Sequence, residues 1–396
     1  MITKKQLSSI CFDRIIPKWH SMPDTFPDFL QEFSQDEKNA NGELVSQLLE
    51  KLQDMPEDPS EEQKEQIEKE LMAFLEKEQI IHAKKYISDE LMGEFRENIE
   101  LFIKRAKAFD ENLSRESIWQ AMRNYLIYAM IVNLQGQRQN CRDTILGYSL
   151  LYPYTDNYID RLHRARNSKE SYNALIRSVL KGQAVCPQND YEEKTRQLLE
   201  LVMGHYSGDL GKPAKRKEAA ALLLMMLEAQ EKSIRQMRSF GAAGLTTDEI
   251  LRISSYKGGV SVFLDYMFSI DLDEASMTEE EKTFYLSFGL ILQLADDLQD
   301  IKEDRKNHIR TLMTFCQRKR RREATVNRLL HFTQSCITDF HPKNPELKTF
   351  VLQNCRLLLL TAVAQNTKYF SGKYLKKVEP YLPLSLQQIR GYAAKL

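Results

Sequence analysis

The chain has 396 residues, 42% of them hydrophobic, with only 15 glycines and 12 prolines. That length suits one large unit or two to three ordinary domains, and the scarcity of turn residues favours long helices. Lysine and arginine number 56, as do aspartate and glutamate, so no global field directs the chain to nucleic acid or to an anionic membrane.

The six cysteines (11, 141, 186, 316, 336 and 355) show no CxxC or other paired spacing, which fits a reduced, cytoplasmic setting. The N-terminal stretch MITKKQLSSICFDR lacks the apolar core of a signal peptide. The longest apolar run, AAALLLMML at 219–227, is far short of the ~20 residues that cross a bilayer, so no transmembrane segment is expected.

In chain order, residues 1–42 read as mixed, with prolines at 17, 23 and 27. Helical spacing then begins at 44–52 and stops at Pro56 and Pro59. Ser60 with Gln63 forms a capping box that opens a charged helix running toward Tyr86. Further helices are predicted at about 88–111, 115–136, 141–165, 169–181, 190–206, 214–240, 247–270, 279–304, 319–340 and 345–370. Thr246 with Glu249 and Thr278 with Glu281 are two more capping boxes. Strand-type alternation is never sustained, so the fold class is all-α. Residues 1–110 read as an N-terminal helical extension packed on a core of 111–396, with no Gly/Ser/Pro-rich linker between them.

The helix from Thr278 is apolar nearly all round until it meets Asp296, Asp297, Asp300 and Asp304. At about 100° per residue, 296, 300 and 304 fall on one stripe. Like charges at that spacing oppose the helix, and acids at its C-terminal end oppose its dipole. Protons or a hard cation such as Mg²⁺ relieve the conflict. Arg305 and two lysines nearby allow a plainer reading, a solvated helix end. A second acidic pair, Asp156 and Asp160 in LLYPYTDNYIDRLHR, tips the balance. Pro153 either bends that helix or opens a new one. In SSYKGGVSVFLDYMF, Lys257 precedes two glycines. They permit a break and a close backbone approach, and the lysine can meet phosphate oxygens as a point charge. Arg252 and Arg305 are further cations near the motifs. The run at 318–322 is a local basic patch without a nucleic-acid module around it.

Together these motifs resemble the class I isoprenoid synthase superfamily: terpene cyclases, trans-prenyl diphosphate synthases and squalene/phytoene synthases. Asp156-Asn157-x-x-Asp160 is similar to the first acidic motif, with Asn in place of the second Asp. Asp296-Asp297-x-x-Asp300 is similar to the second, extended by Asp304. Lys257-Gly258-Gly259 looks like the diphosphate-binding segment, and the set looks most like bacterial large-terpene cyclases of the tetraprenyl-β-curcumene synthase type. The resemblance covers roughly 110–310. It implies an α-helical bundle with a central cavity and a prenyl diphosphate substrate held through Mg²⁺, three ions per site, with Mn²⁺ as a substitute. The metal ligands would be Asp156, Asp160, Asp296, Asp297, Asp300 and Asp304, of which Asp156, Asp160, Asp296 and Asp300 are the catalytic set. Lys257, Arg252 and Arg305 would bind the diphosphate. Tyr152, Phe263, Tyr266 and Phe288 are candidate aromatics facing a carbocation, and Arg390 with Tyr392 is a candidate pair on the diphosphate. The implied reaction is ionisation of an allylic diphosphate followed by cyclisation or elimination. The alternatives are a prenyltransferase and a non-enzymatic helical scaffold. Homodimerisation is left open, and no nucleic-acid partner is expected.

Overall fold

A computed structural model of the protein describes residues 3–53, 60–161, 166–204, 213–233, 236, 244–269 and 277–393. Every regular element among them is helical, as the sequence pattern predicts. The chain opens with α1 (Lys4–Ser9) and α2 (Ile16–Ser21), joined by a π-helical turn at Ile10–Ile15. Then come α3 (Gln35–Gln53), α4 (Glu61–Lys77), α5 (Ala83–Tyr86), α6 (Asp89–Phe109), α7 (Arg115–Leu134), α8 (Asp143–Arg161), α9 (Arg166–Leu180), α10 (Asp190–Gly204) and α11 (Pro213–Ser233). A rod of α12 (Thr247–Ser254), a π-helical turn at Ser255–Gly259 and α13 (Val260–Ser269) follows. The remainder is α14 (Glu279–Gln299), α15 (Ile301–Lys306), α16 (Leu312–Phe315), α17 (Lys319–Thr338), α18 (Pro345–Gln365), α19 (Gly372–Val378) and α20 (Leu386–Ala393).

Three capping boxes read from the sequence close reciprocally at Ser60, Thr246 and Thr278. Each satisfies helix N–H groups that would otherwise be orphaned. The ends of the helices predicted at 141–165, 190–206, 214–240 and 247–270 reach beyond the described residues. Two expectations are corrected. The charged helix after Ser60 stops at Lys77, not near Tyr86, because Glu78 turns extended (φ −67°, ψ 141°). The Glu78 carboxylate then accepts the N–H groups of Ile80, Ile81 and Ala83. Residues 4–21, read as irregular, are helical and sunk into the core. Leu7, Cys11, Ile15 and Trp19 are at most 1% exposed. Pro17 follows directly on the π-helical turn, at the second residue of α2, and the helix continues through it.

The bundle is organised around α14, which is buried along most of its length. Burying Leu290, Ile291 and Leu294 alone contributes roughly 5–9 kcal/mol before conformational entropy is set against it. The α12–α13 rod lies on one side of α14, with α17 and α18 on the other. Outward from α13 the order of neighbours is α7, α8 and α10. α18 is long and apolar enough to cross a membrane by length and composition, but about half of its apolar window is buried inside the bundle, against α14, α17 and α7. All six cysteines are unpaired.

Candidate active site

The π-helical turn at Ser255–Gly259 determines how tightly the rod meets α14. A Cβ on Gly258 would stand 2.3 Å from the Gly289 carbonyl oxygen, and one on Gly289 only 2.2 Å from the Gly258 carbonyl oxygen. Only glycine fits at such a crossing. The sequence reading anticipates the close approach. The chain does not break there; it inserts an extra residue into a continuous helix, a device frequent at functional sites. Lys257 is thereby held beside the C-terminal half of α14.

A cavity of about 410 Å³ opens at this crossing. Its walls are apolar side chains such as Leu151, Ile176, Leu199, Leu223, Met226 and Leu292. Its polar groups include Lys257, Asp296, Gln293 and Gln299, together with Arg123, Asn124 and Gln120 from α7. Tyr152 and Thr155 face it from the last turns of α8. Pro153 sits inside α8 without ending it. The residue after Thr155 is Asp156, so the first acidic motif begins one residue beyond the cavity lining of α8. The side chains of Asp156, Asn157 and Asp160 lie outside the described residues.

The second acidic motif departs slightly from one straight helix. α14 ends at Gln299, Asp300 takes φ −92° and ψ 13°, and α15 resumes at Ile301. The Asp300 N–H still bonds to the Asp296 carbonyl and the Asp304 N–H to the Asp300 carbonyl, both at 2.9 Å, so the stripe survives. Asp296 is exposed and lines the cavity. Asp297 is buried. Its Oδ1 accepts from Gln293 at 3.0 Å, and its Oδ2 has no hydrogen-bond partner among the described residues.

This crowding raises the carboxylates' pKa values. Burial first, then Asp304 and Asp296, pushes Asp297 up to about 8. Burial and then Asp300 push Asp304 up to about 7, while the Thr311 hydroxyl and Lys257 pull the other way. Asp300 is raised by desolvation, Asp296 and Glu303, against the pull of Arg123 and Lys257. Lys257 is therefore close enough to act on three acids at once. The donor set is hard carboxylate oxygen with one buried oxygen unsatisfied, which suits Mg²⁺. As they stand, no three His, Cys, Asp or Glu among the described residues converge closely enough to hold a metal ion.

Several predicted site residues are placed elsewhere. The Arg252 guanidinium stacks on Phe12 at 4.8 Å, and that of Arg305 lies 5.6 Å over the Tyr369 ring; neither lines the cavity. Phe263 is fully buried beside Tyr266, which stacks on Tyr285 at 4.1 Å. Phe288 stacks on Phe284. These three aromatics pack the core, and of the four candidates only Tyr152 faces the cavity. On α13 the π-helical turn inserts one residue and rotates the helix face, so Ser261 and Val262 line the cavity instead of Phe263 and Tyr266; Phe288, on α14, faces Phe284 in the core. Tyr392 is engaged far along the chain with Ser46 at 2.7 Å and the Gly42 carbonyl at 3.0 Å, which removes the Arg390–Tyr392 pair from the site.

Other groups had no strong signal in the sequence. Arg123 is an exposed arginine on α7, which has one other cation, Arg115, and no motif surrounds it. Asn124 bonds to both Ser149 and Asp265 at 3.2 Å. Asp265 is completely buried, its carboxyl pushed well above the usual range by burial, and its Oδ2 has no partner among the described residues. The Tyr148 hydroxyl lies 3.1 Å from Ser261 Oγ and from the Ser261 carbonyl. Asp265 stands four residues after Ser261, at the spacing predicted for one helix face, but only the structure shows that this face meets Asn124.

The chain matches no family model, no curated protein and no solved structure.

Proposed function

We propose that the chain is a Mg²⁺-dependent class I terpene synthase acting on an allylic prenyl diphosphate. One observation carries the reading. A largely apolar cavity of about 410 Å³ is lined at once by Lys257, Arg123 and Asp296 and by Tyr152 and Thr155 of α8, whose next residue is Asp156. Pockets of ~300–1,000 Å³ with few, convergent polar groups are the usual shape of small-molecule sites. An apolar chain suits the walls, and a diphosphate suits the cations beside an acidic stripe.

Asp296 and Asp300, with Asp156 and Asp160 from α8, would hold the metal. When bound, Mg²⁺ would neutralise the diphosphate and stabilise the charge that develops on it as a leaving group. Lys257 and Arg123 place fixed positive charge at the same end. The C–O bond breaks heterolytically, and both electrons leave with the diphosphate. The apolar walls exclude water from the allylic cation. Tyr152 offers an aromatic face near the diphosphate end. Loss of a proton after attack by an internal double bond gives the hydrocarbon. A prenyltransferase differs only in taking a second prenyl substrate as the nucleophile.

Incubation of purified protein with C10 to C25 prenyl diphosphates, singly and with isopentenyl diphosphate, tests the reading. A hydrocarbon or alcohol from one substrate, with pyrophosphate released and EDTA abolishing both, supports a cyclase. A longer diphosphate formed only from the pair moves the assignment to a prenyltransferase. No turnover under any condition leaves the helical scaffold.

A further inference from the structure

Net charge is zero over the whole chain, yet residues 302–322 hold nine lysines and arginines against two acids, Glu303 and Asp304. The fold gathers these cations at one end of the bundle. Lys319 Nζ donates to the Phe370 carbonyl at 2.8 Å. Arg305 and Arg322 both lie over the Tyr369 ring, at 5.6 and 5.7 Å. α15, the start of α17 and the turn after α18 therefore converge. Arg322 is 1% exposed and is used up on carbonyl groups of Met313, Cys316 and Tyr369. Lys302, Lys306, Arg318, Arg320, Arg321 and Lys368 are exposed and make no ion pair among the described residues.

Polar lining residues of the cavity lie at the same end. Asn366, in the turn after α18, donates to the carbonyls of Leu298 and Gln299 at 3.1 and 3.0 Å, and Gln299 and Asp296 line the cavity. On the α7 side stands Trp119, 63% exposed, next in the chain to Gln120 and one turn from Arg123, both of which line the cavity. Tyr152, 37% exposed, lines the cavity too. The acids Asp297, Asp300 and Asp304 are those acted on by Lys257, whereas the six cations carry no such partner.

We infer that this end of the bundle docks on an anionic phospholipid surface, with the basic cluster held at the headgroups and Trp119 and Tyr152 at the interface. Clusters of four to eight lysines and arginines are attracted to anionic leaflets, and amphipathic aromatic rings settle at the headgroup level. A polynucleotide would account for the cations but not for an exposed tryptophan beside the lining of an apolar cavity. Docking in this orientation lets an apolar ligand pass between bilayer and cavity without crossing water. The inference stands on surface charge and exposure, independently of the reaction proposed above.

The two tryptophans make the test direct, since Trp19 is buried and Trp119 is not. The full chain is titrated with phosphatidylcholine vesicles, with and without one-third phosphatidylglycerol, and followed by flotation and by tryptophan emission. Binding to the anionic vesicles only, weakened by salt and accompanied by a blue shift that Trp119→Phe abolishes, is the expected result. Each cation near such a surface is worth about fivefold in affinity. The quadruple variant Lys302→Gln/Arg320→Gln/Arg321→Gln/Lys368→Gln should therefore lose at least tenfold while keeping its helical signal. Equal binding to both vesicles, or none, overturns the inference. So does tighter binding to a polynucleotide at the same salt without a shift in Trp119 emission.

Discussion

Replacing Asp297 with Asn should leave the metal-free protein about equally stable at pH 5 and stabilise it increasingly as pH rises toward 8. Asp297 is buried, with its carboxyl pushed up to about 8, against ~3.9 for an unfolded aspartate. Between those values the folded chain binds one more proton than the unfolded chain. Stability therefore falls as pH rises, and the loss is complete above the folded pKa. At ~1.4 kcal/mol per unit, the cost at Asp297 grows from roughly 1–2 kcal/mol at pH 5 to roughly 5 kcal/mol at pH 8. Asparagine does not titrate. Its Oδ1 can keep the hydrogen bond from Gln293, but its amide would face the side where Oδ2 has no partner, costing about 1–3 kcal/mol. The two effects roughly cancel at pH 5 and leave a gain of about 2–4 kcal/mol at pH 8. Urea denaturation in EDTA, at pH 5 and at pH 8, measures it. Equal stability of variant and parent at both pH values would refute the claim that the parent folds with a costly carboxyl at 297.

Other outcomes follow from the same geometry. Gly258→Ala drives a methyl into the Gly289 backbone and should destabilise by about 2–3 kcal/mol, whereas Gly372→Ala, which meets nothing within 4 Å, should leave the urea midpoint unchanged or slightly raised. Lys257→Gln should lower prenyl diphosphate turnover by ~10²–10³ without unfolding, the scale seen when one group stabilising a developing anion is lost. Arg123→Gln should act in the same direction, while Arg252→Gln, whose guanidinium lies on Phe12, should alter thermal stability and not turnover.

The helical scaffold was legible because its signals are local. Capping boxes at Ser60, Thr246 and Thr278 depend on residues three apart, and helices such as α7, α10 and α17 follow from periodicity. The burial of residues 4–21 was hidden because early prolines mask a helix whose apolar face makes sense only against Tyr256, Phe332 and α14. At the site, the acidic stripe and the glycine crossing could be read from spacing. The facing of α13 could not, because a π-helical turn breaks the 3.6-residue period, and the candidates Phe263 and Tyr266 turn into the core. Arg123 carries no signal for a different reason: an isolated arginine on a helix becomes informative only when the end of α14 brings Asp296 and Asp300 near it.

Thermal unfolding with inorganic pyrophosphate and Mg²⁺, together and separately, tests most directly whether the acidic stripe and Lys257 form a metal-diphosphate site. Both together should raise the unfolding midpoint, reversibly with EDTA, by an amount set by RT ln(1 + [L]/Kd), about 2.7 kcal/mol at a hundredfold excess over Kd. Neither should do so alone, and Asp296→Asn should abolish the effect while remaining folded. An unchanged midpoint in the parent, or a full response in Asp296→Asn, contradicts the assignment.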